Sequence, residues 1–303
     1  MLKGSVSMKK ISIPLPVAAG ECLPESVNAR LVSVDLPVVM GILNVTDDSF
    51  YSASRLGSEE ALVARALQMK EEGAGILDVG ACSTRPGSEP VDEQTELRRL
   101  VPSLRALREV LPDMPLSVDT FRARVVEQCV RECGPFVVND ISGCPDTEMA
   151  AVVARYRLPY VLTHNGGMCA EAQSREGEDI VACAKRFFAQ KVQELREKGV
   201  ETIILDPGFG FCKTLEDNYR LLAHLEELCP KGEPLLVGVS RKSMIQRVLE
   251  VDAAHALNGT TALHAVALRK GADLLRVHDV RAACETVALM QQLGRAENDA
   301  ENE

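Results

Sequence analysis

Along the chain, short β-branched runs alternate with longer segments whose apolar positions recur at helical spacing, and polar loops rich in Gly, Asp and Ser separate the two. The short runs predict strands at 38–45, 75–80, 116–120, 136–141, 160–164, 202–206, 235–240 and 274–279. The longer ones predict helices at 59–72, 93–110, 122–133, 178–198, 215–228 and 258–270, with a last helix at 281–293. Several of these run into glycine before the next strand, as in Glu72-Gly73-Ala74, Lys198-Gly199-Val200 and Lys270-Gly271-Ala272, which is where a left-handed C-cap falls. Eight strand-then-helix units within about 250 residues point to an α/β fold, a single (β/α)8 TIM barrel at 37–294, rather than an open doubly wound sheet. Residues 1–36 form an N-terminal extension in which Ile11-Ser12-Ile13 and the 30–34 run alternate as a short β-hairpin closing the barrel floor would. Residues 295–303 read as an acidic tail expected to fray.

Charge narrows the function classes. With 34 Lys+Arg against 44 Asp+Glu, the formal charge is −10, and no basic run exceeds Lys9-Lys10 or Arg98-Arg99. A surface that tracks nucleic-acid phosphates needs clustered cations, so no nucleic-acid partner is expected, and any anionic ligand must be gripped in a local pocket. No stretch approaches the roughly 20 apolar residues that cross a bilayer, so no membrane partner is expected either. Lys9-Lys10 followed by an apolar run outlines a secretory signal, but Pro14 and Pro16 interrupt that run and Glu21 stands before Cys22 where a small residue belongs. The 10 cysteines are scattered without a Cys-x-x-Cys pair, a usage that suits a reducing cytoplasm.

Nearly every predicted strand ends in a side chain capable of chemistry. These are Asn44, then Asp78 with Ser83-Thr84-Arg85 beyond it, Asp119, and Asn139-Asp140. They continue with His164-Asn165, Asp206, Ser240-Arg241-Lys242, and Arg276 with His278-Asp279. In a barrel these positions converge on the C-terminal mouth, where the loops build active sites. One such residue reads equally well as a helix cap or loop brace; so many in succession point to a site. Asp119, Asn139, Asp206 and Lys242 suit a flat, amide-rich heterocycle, because a carboxylate accepts from two adjacent N–H groups. Asn44, Arg276 and His278 suit phosphate oxygens, and Asn44 can also ligate a hard divalent cation. A nucleophile elbow, a P-loop and a zinc-type histidine pair are all absent from the sequence, which disfavours covalent acyl transfer. Lys213 reads either as a loop cation or as a helix-entry residue, Asp140, Arg241 and Asp279 as braces, and His224, His255 and His264 as helix residues away from the mouth.

The segments that carry these residues are Met40-Gly41-Ile42-Leu43-Asn44-Val45-Thr46-Asp47-Asp48-Ser49-Phe50, Ser83-Thr84-Arg85-Pro86-Gly87, Ser117-Val118-Asp119-Thr120 and Asn139-Asp140-Ile141-Ser142-Gly143. Asp206-Pro207-Gly208-Phe209-Gly210-Phe211, Ser240-Arg241-Lys242-Ser243 and Arg276-Val277-His278-Asp279-Val280 follow. In this order they resemble the signatures of the dihydropteroate synthases, the folate-pathway enzymes that sulfonamides inhibit. The resemblance implies a transferase that condenses para-aminobenzoate with 6-hydroxymethyl-7,8-dihydropterin pyrophosphate, with Mg²⁺ assistance, giving 7,8-dihydropteroate and pyrophosphate by a dissociative route. It implies that Asp119, Asn139, Asp206 and Lys242 bind the pterin, and that Asn44, Arg85, Arg276 and His278 bind the pyrophosphate, with Asn44 on the metal. It implies a para-aminobenzoate site of Thr84, Arg85, Pro86, Phe211 and Ser240, with Asp119, Lys242, Arg276 and His278 as the catalytic groups. A homodimer through the last helices is implied too, with Ala282, Ala283, Val287, Met290 and Leu293 as its apolar face. The sequence departs from the family pattern in three places. Asp47 stands where proline is usual, Cys82 where glutamate is usual, and Thr163-His164-Asn165 where Met-His-Met is common. A pterin-dependent methyltransferase on the same scaffold would lack the two anion loops, and a catalytically silent paralogue would be expected to lose them.

Overall fold

The computed structural model describes residues 9–16, 29–45, 55–81, 91–143, 147–229 and 232–301. It opens with an antiparallel hairpin of β1 (Lys10–Pro16) and β2 (Ala29–Asp35), in which Ile13 faces Val32 across the ladder. The barrel strands follow as β3 (Val38–Asn44), β4 (Ile76–Gly80), β5 (Leu116–Asp119), β6 (Val137–Asp140), β7 (Tyr160–Thr163), β8 (Ile203–Asp206), β9 (Leu236–Val237) and β10 (Leu274–Val277). They pair in parallel in the spatial order β8-β7-β6-β5-β4-β3-β10-β9. A parallel bridge between Leu205 and Leu235 joins the two ends of that order and brings the sheet round to a barrel. The β9 ladder stops at Val237 although the sequence predicts a strand to 240, because Gly238 follows and a glycine inside a strand weakens it.

Around the sheet lie α1 (Arg55–Glu71), α2 (Glu93–Val110), α3 (Ala123–Cys133), α4 (Thr147–Arg155), α5 (Ile180–Glu197), α6 (Leu215–Ala223), α7 (Ser243–Leu249), α8 (Leu257–Arg269) and α9 (Val280–Glu301). Helices α4 and α7, nine and seven residues long, are too short for apolar periodicity to announce them. Helix α9 runs through what the sequence reading assigns to a fraying tail: Arg295-Ala296-Glu297 and Ala300-Glu301 are strong helix formers and carry it to Glu301. Side-chain caps fix helix entries. Asp92 accepts from the Thr95 amide at 2.9 Å at the start of α2, and Thr214 and Asp217 form a reciprocal capping box on α6.

Two apolar layers hold the fold. Outside the sheet, residues such as Leu77, Val79, Leu104, Phe136 and Phe187 pack strands against helices. Inside it, Ile11 and Ile13 of the hairpin meet Val38, Ile76, Val137, Val161, Ile204, Leu236 and Leu274. The hairpin therefore plugs the N-terminal end of the barrel, and each fully buried Leu or Ile there contributes roughly 1.5–3 kcal/mol. Among the described residues no helix is long and apolar enough to cross a membrane.

Candidate active site

Successive side chains of a strand point to opposite faces, so the residue two places after an inward apolar one also points inward. Applying this to the inner layer gives a second, polar layer above it. Ile76 leads to Asp78, Val137 to Asn139, Val161 to Thr163, Ile204 to Asp206 and Leu274 to Arg276. Ser117 and Asp119 occupy the matching places on β5, where Ser117 is in register with Asp78 and Asp119 with Asn139. The apolar floor thus gives way to a polar ring one layer higher, towards the C-terminal mouth. Asp78 is fully buried, and Asn139, Asp206 and Asp119 are 1%, 7% and 9% exposed, so this ring is closed off from bulk water on its lower side.

Arg276 sits between two carboxylates. Its Nε donates to Asp78 Oδ2 at 2.7 Å and its Nη2 to Asp119 Oδ2 at 2.7 Å. Asn139 Nδ2 donates to the same Asp78 oxygen at 3.0 Å, so Asp78 ties together two of the residues singled out in the sequence. Burial pushes the Asp119 carboxyl up to about 7 against the pull of Arg276, with Asp78, Glu96 and Asp140 adding repulsion. Burial works against the Arg276 charge as well, but Asp78 and Asp119 outweigh it and hold the guanidinium above its ordinary range. Asp206 is raised by burial, opposed by Lys242, and its Oδ1 accepts from the Gly208 amide at 2.8 Å.

The Asp206-Pro207-Gly208 turn depends on glycine: Gly208 has φ +66°, and a Cβ there would lie 2.2 Å from the His164 carbonyl oxygen. Lys242, just before α7, bonds the Phe209 carbonyl and stands 5.2 Å from the centre of the Phe211 ring, a cation–π contact across the mouth. Burial draws its ammonium down to about 8 despite Asp206. Lys213 folds back on the same turn, donating to the carbonyls of His164, Gly208 and Phe211 at 2.7, 2.9 and 3.3 Å. It is therefore a cation that clamps the turn, directly before Thr214, the N-cap of α6.

The rim is more open. Asn44 ends β3, exposed, in register with Gly80, which is in turn in register with Asp119. A Cβ at Gly80 would come within 3.3 Å of the Asp119 Cβ, so glycine keeps this side of the aspartate clear. His278 is exposed at the end of β10. Its Nδ1 lies 3.1 Å from Ser240 Oγ, and its amide donates to the same oxygen at 3.2 Å. Arg241 forms a bidentate pair with Asp279 at 2.7 and 2.8 Å, and Asp140 takes the Tyr160 hydroxyl at 2.6 Å, so all three are braces, as expected. Thr84, Arg85 and Pro86, together with Asp47 and Cys82, lie outside the described residues. Among the histidines, His224 and His255 pair with Glu227 and Asp252, and His264 is buried in α8.

Sequence reasoning noticed Asp78 as a strand-end residue but gave it no role. The available signal was its place two residues after Ile76 in a strand buried on both faces, where a charge demands a partner. Among the described residues no group of three or more His, Cys, Asp or Glu side chains forms a metal cluster. A cation here would have to rely on single donors such as Asn44 and on ligand oxygens.

Comparison with known proteins agrees with this arrangement. A family profile described as "Pterin binding enzyme" matches residues 40–278. The chain is 42% identical over 262 residues to a dihydropteroate synthase of Synechocystis, covering 85% of this chain and 90% of the relative. Among solved structures, Xanthomonas albilineans dihydropteroate synthase with 4-aminobenzoic acid matches with TM-score 0.80 and 38% identity, covering 87% of this chain and 95% of that one. The same enzyme in complex with 7,8-dihydropteroate matches with TM-score 0.76 and 36% identity, covering 87% and 96%. On the extent of these matches, the chain belongs to the dihydropteroate synthase family of pterin-binding enzymes.

Proposed function

We propose that the protein condenses para-aminobenzoate with 6-hydroxymethyl-7,8-dihydropterin pyrophosphate, releasing 7,8-dihydropteroate and pyrophosphate, and that sulfonamides compete at its para-aminobenzoate site. The observation that carries this reading is the polar ring above an apolar floor. Asn139 Oδ1, buried and without a partner among the described residues, lies in that ring with the carboxylates of Asp119 and Asp206. A buried acceptor left unmade costs about 1–3 kcal/mol, so the ring is built for a ligand that brings N–H donors. The donor-rich edge of a pterin supplies them. In this reading Asp119, Asn139, Asp206 and Lys242 hold the pterin.

Arg276, His278 and Asn44 are assigned to the pyrophosphate, and Arg85 is assigned to it with them. Asn44 offers one neutral oxygen, which fits Mg²⁺ as it is usually held, by few protein ligands together with waters and substrate phosphates. When bound, Mg²⁺ neutralises charge on the leaving pyrophosphate. In a dissociative route the departing pyrophosphate leaves a pterin methylene cation, and groups already placed for that charge favour the transition state over the ground state. The Asp119 carboxylate would face the cation; at about 4 Å in an effective dielectric near 20 such a charge contributes on the order of 4 kcal/mol before desolvation. Thr84, Arg85, Pro86, Phe211 and Ser240 are assigned to para-aminobenzoate. Its aniline nitrogen is already neutral at pH 7, so attack needs no strong base.

We also propose that the protein acts in the cytoplasm as a homodimer. The buried thiols of Cys129, Cys133 and Cys183, unpaired, suit a reducing compartment. Leu289 and Leu293 on α9 and Val266 on α8 are 72%, 47% and 41% exposed, an apolar surface on the last two helices. Ala283 and Val287, assigned in the sequence reading to the dimer face, are 1% and 9% exposed and pack on the protein's own barrel, so the contact shifts outward around the helix.

The reading is tested by mixing the purified protein with the pterin pyrophosphate and Mg²⁺, with and without para-aminobenzoate, and measuring pyrophosphate and dihydropteroate. Dihydropteroate appearing together with pyrophosphate supports it. Tight pterin binding with no product in the presence of para-aminobenzoate overturns it in favour of a binding protein without turnover.

A further inference from the structure

Asp78 bonds one member each of the proposed pterin and pyrophosphate sets from within the same polar ring. Its Oδ2 receives Arg276 Nε at 2.7 Å and Asn139 Nδ2 at 3.0 Å, and it is fully buried. A carboxylate taken out of water is stable only when paired and hydrogen-bonded, and Arg276 supplies that pairing. Its influence reaches the ligand through geometry. An asparagine amide can present either its oxygen or its nitrogen to a ligand, and the two orientations differ little unless a neighbour selects one. The carboxylate, an acceptor only, captures Asn139 Nδ2 and leaves Asn139 Oδ1 as the buried acceptor still open to a ligand. In the same way, holding Arg276 by Nε leaves Nη2 for Asp119, a fork geometry a lysine cannot reproduce.

We propose that Asp78 is a positioning residue that sets the polarity of the pterin pocket: it orients the Asn139 amide to accept and the Arg276 guanidinium to bridge, so that the pocket selects heterocycles presenting N–H donors. This inference rests on the pterin-binding reading of the site. In this proposal Asp78 acts through its Oδ2 contacts to Asn139 and Arg276.

The test compares wild type with Asp78→Asn, an isosteric change, after thermal unfolding has established that the variant is folded. Calorimetric binding of 6-hydroxymethylpterin and steady-state kinetics are then measured. Pterin affinity and kcat/KM for the pterin pyrophosphate should both fall about 10–100-fold, while KM for para-aminobenzoate stays within about twofold. In an Asn139→Ala background, which removes the amide that Asp78 orients, the added penalty of Asp78→Asn on pterin affinity should shrink to about threefold or less. Wild-type pterin affinity in Asp78→Asn, or a penalty undiminished in the Asn139→Ala background, overturns the proposal. Should Asp78→Asn not fold, Arg276→Lys alone carries the test: about a tenfold loss of pterin affinity is expected, and unchanged affinity overturns it. A wild-type protein that binds no pterin refutes the functional reading itself, whereas wild-type binding with an indifferent Asp78→Asn refutes only this inference.

Discussion

Ser240 Oγ is 3.1 Å from His278 Nδ1 and also receives the His278 amide at 3.2 Å, so one hydroxyl fixes both the ring and the backbone of the histidine. The family resemblance assigns Ser240 to para-aminobenzoate and His278 to pyrophosphate, and the contact between them separates these roles experimentally. A hydroxyl that orients the histidine also acts on the anion side. Ser240→Ala should therefore raise KM for the pterin pyrophosphate and weaken product inhibition by pyrophosphate about 3–10-fold, beside the rise in KM for para-aminobenzoate that its second-site assignment entails. Steady-state kinetics with each substrate varied checks this; a rise confined to para-aminobenzoate would mean that the hydroxyl does not act through His278.

The acid limb of activity should belong to Asp119. Burial, only partly offset by Arg276, raises its carboxyl to about 7, and a protonated carboxyl cannot accept two N–H groups. The value of kcat/KM for the pterin substrate should therefore fall about tenfold per pH unit below 7. The same shift has a stability consequence. Because the folded pKa lies above the unfolded carboxylate value, the native state holds the extra proton between roughly pH 4 and 7, and this group's contribution to stability declines as pH rises through that window. On the alkaline side, Lys242, drawn down to about 8 by burial, should give a second limb near that value. A pH profile flat between 5.5 and 8 would contradict both assignments.

The eight-unit barrel and its hairpin plug were legible because alternation and helical periodicity are local properties, and the strand-end polar residues follow from the same alternation. Asn44, Asp119, Asn139, Asp206, Lys242, Arg276 and His278 all end or closely follow barrel strands, as read from the sequence. What the sequence did not convey were pairwise relations between distant strands. Asp78 and Arg276 are 198 residues apart, and Ser240 and His278 are 38 apart. No periodicity records such pairs, since they exist only once the sheet has closed. Short helices and the face of α9 were lost for a related reason: which side of an amphipathic helix meets its own barrel depends on the rotation the neighbouring strands impose.

Asp119→Asn should abolish turnover while preserving the fold. The amide keeps the shape and can still accept from Arg276 Nη2, but it carries no charge to meet a pterin methylene cation. A rate loss of up to about a thousandfold is expected if the electrostatic contribution is on the order of 4 kcal/mol before desolvation, together with an unchanged circular dichroism spectrum. Full activity in this variant would remove the carboxylate from the mechanism.

The exposed leucines of α9 test the assembly. Leu289 and Leu293 lie four residues apart, on one face of the helix, and α8 and α9 pack side by side so that Val266 can extend the patch. A charge placed in the middle of such a surface must be desolvated on association, at a cost that a contact of ordinary size does not recover. Leu289→Glu should therefore convert a dimer into a monomer at micromolar concentration by light scattering, with the thermal midpoint little changed if the barrel folds on its own. Because the polar ring is assembled from strands of one chain, pterin binding should survive in that monomer. Loss of binding on dissociation would mean that the partner subunit shapes the site, and a wild-type protein already monomeric would remove the dimer altogether.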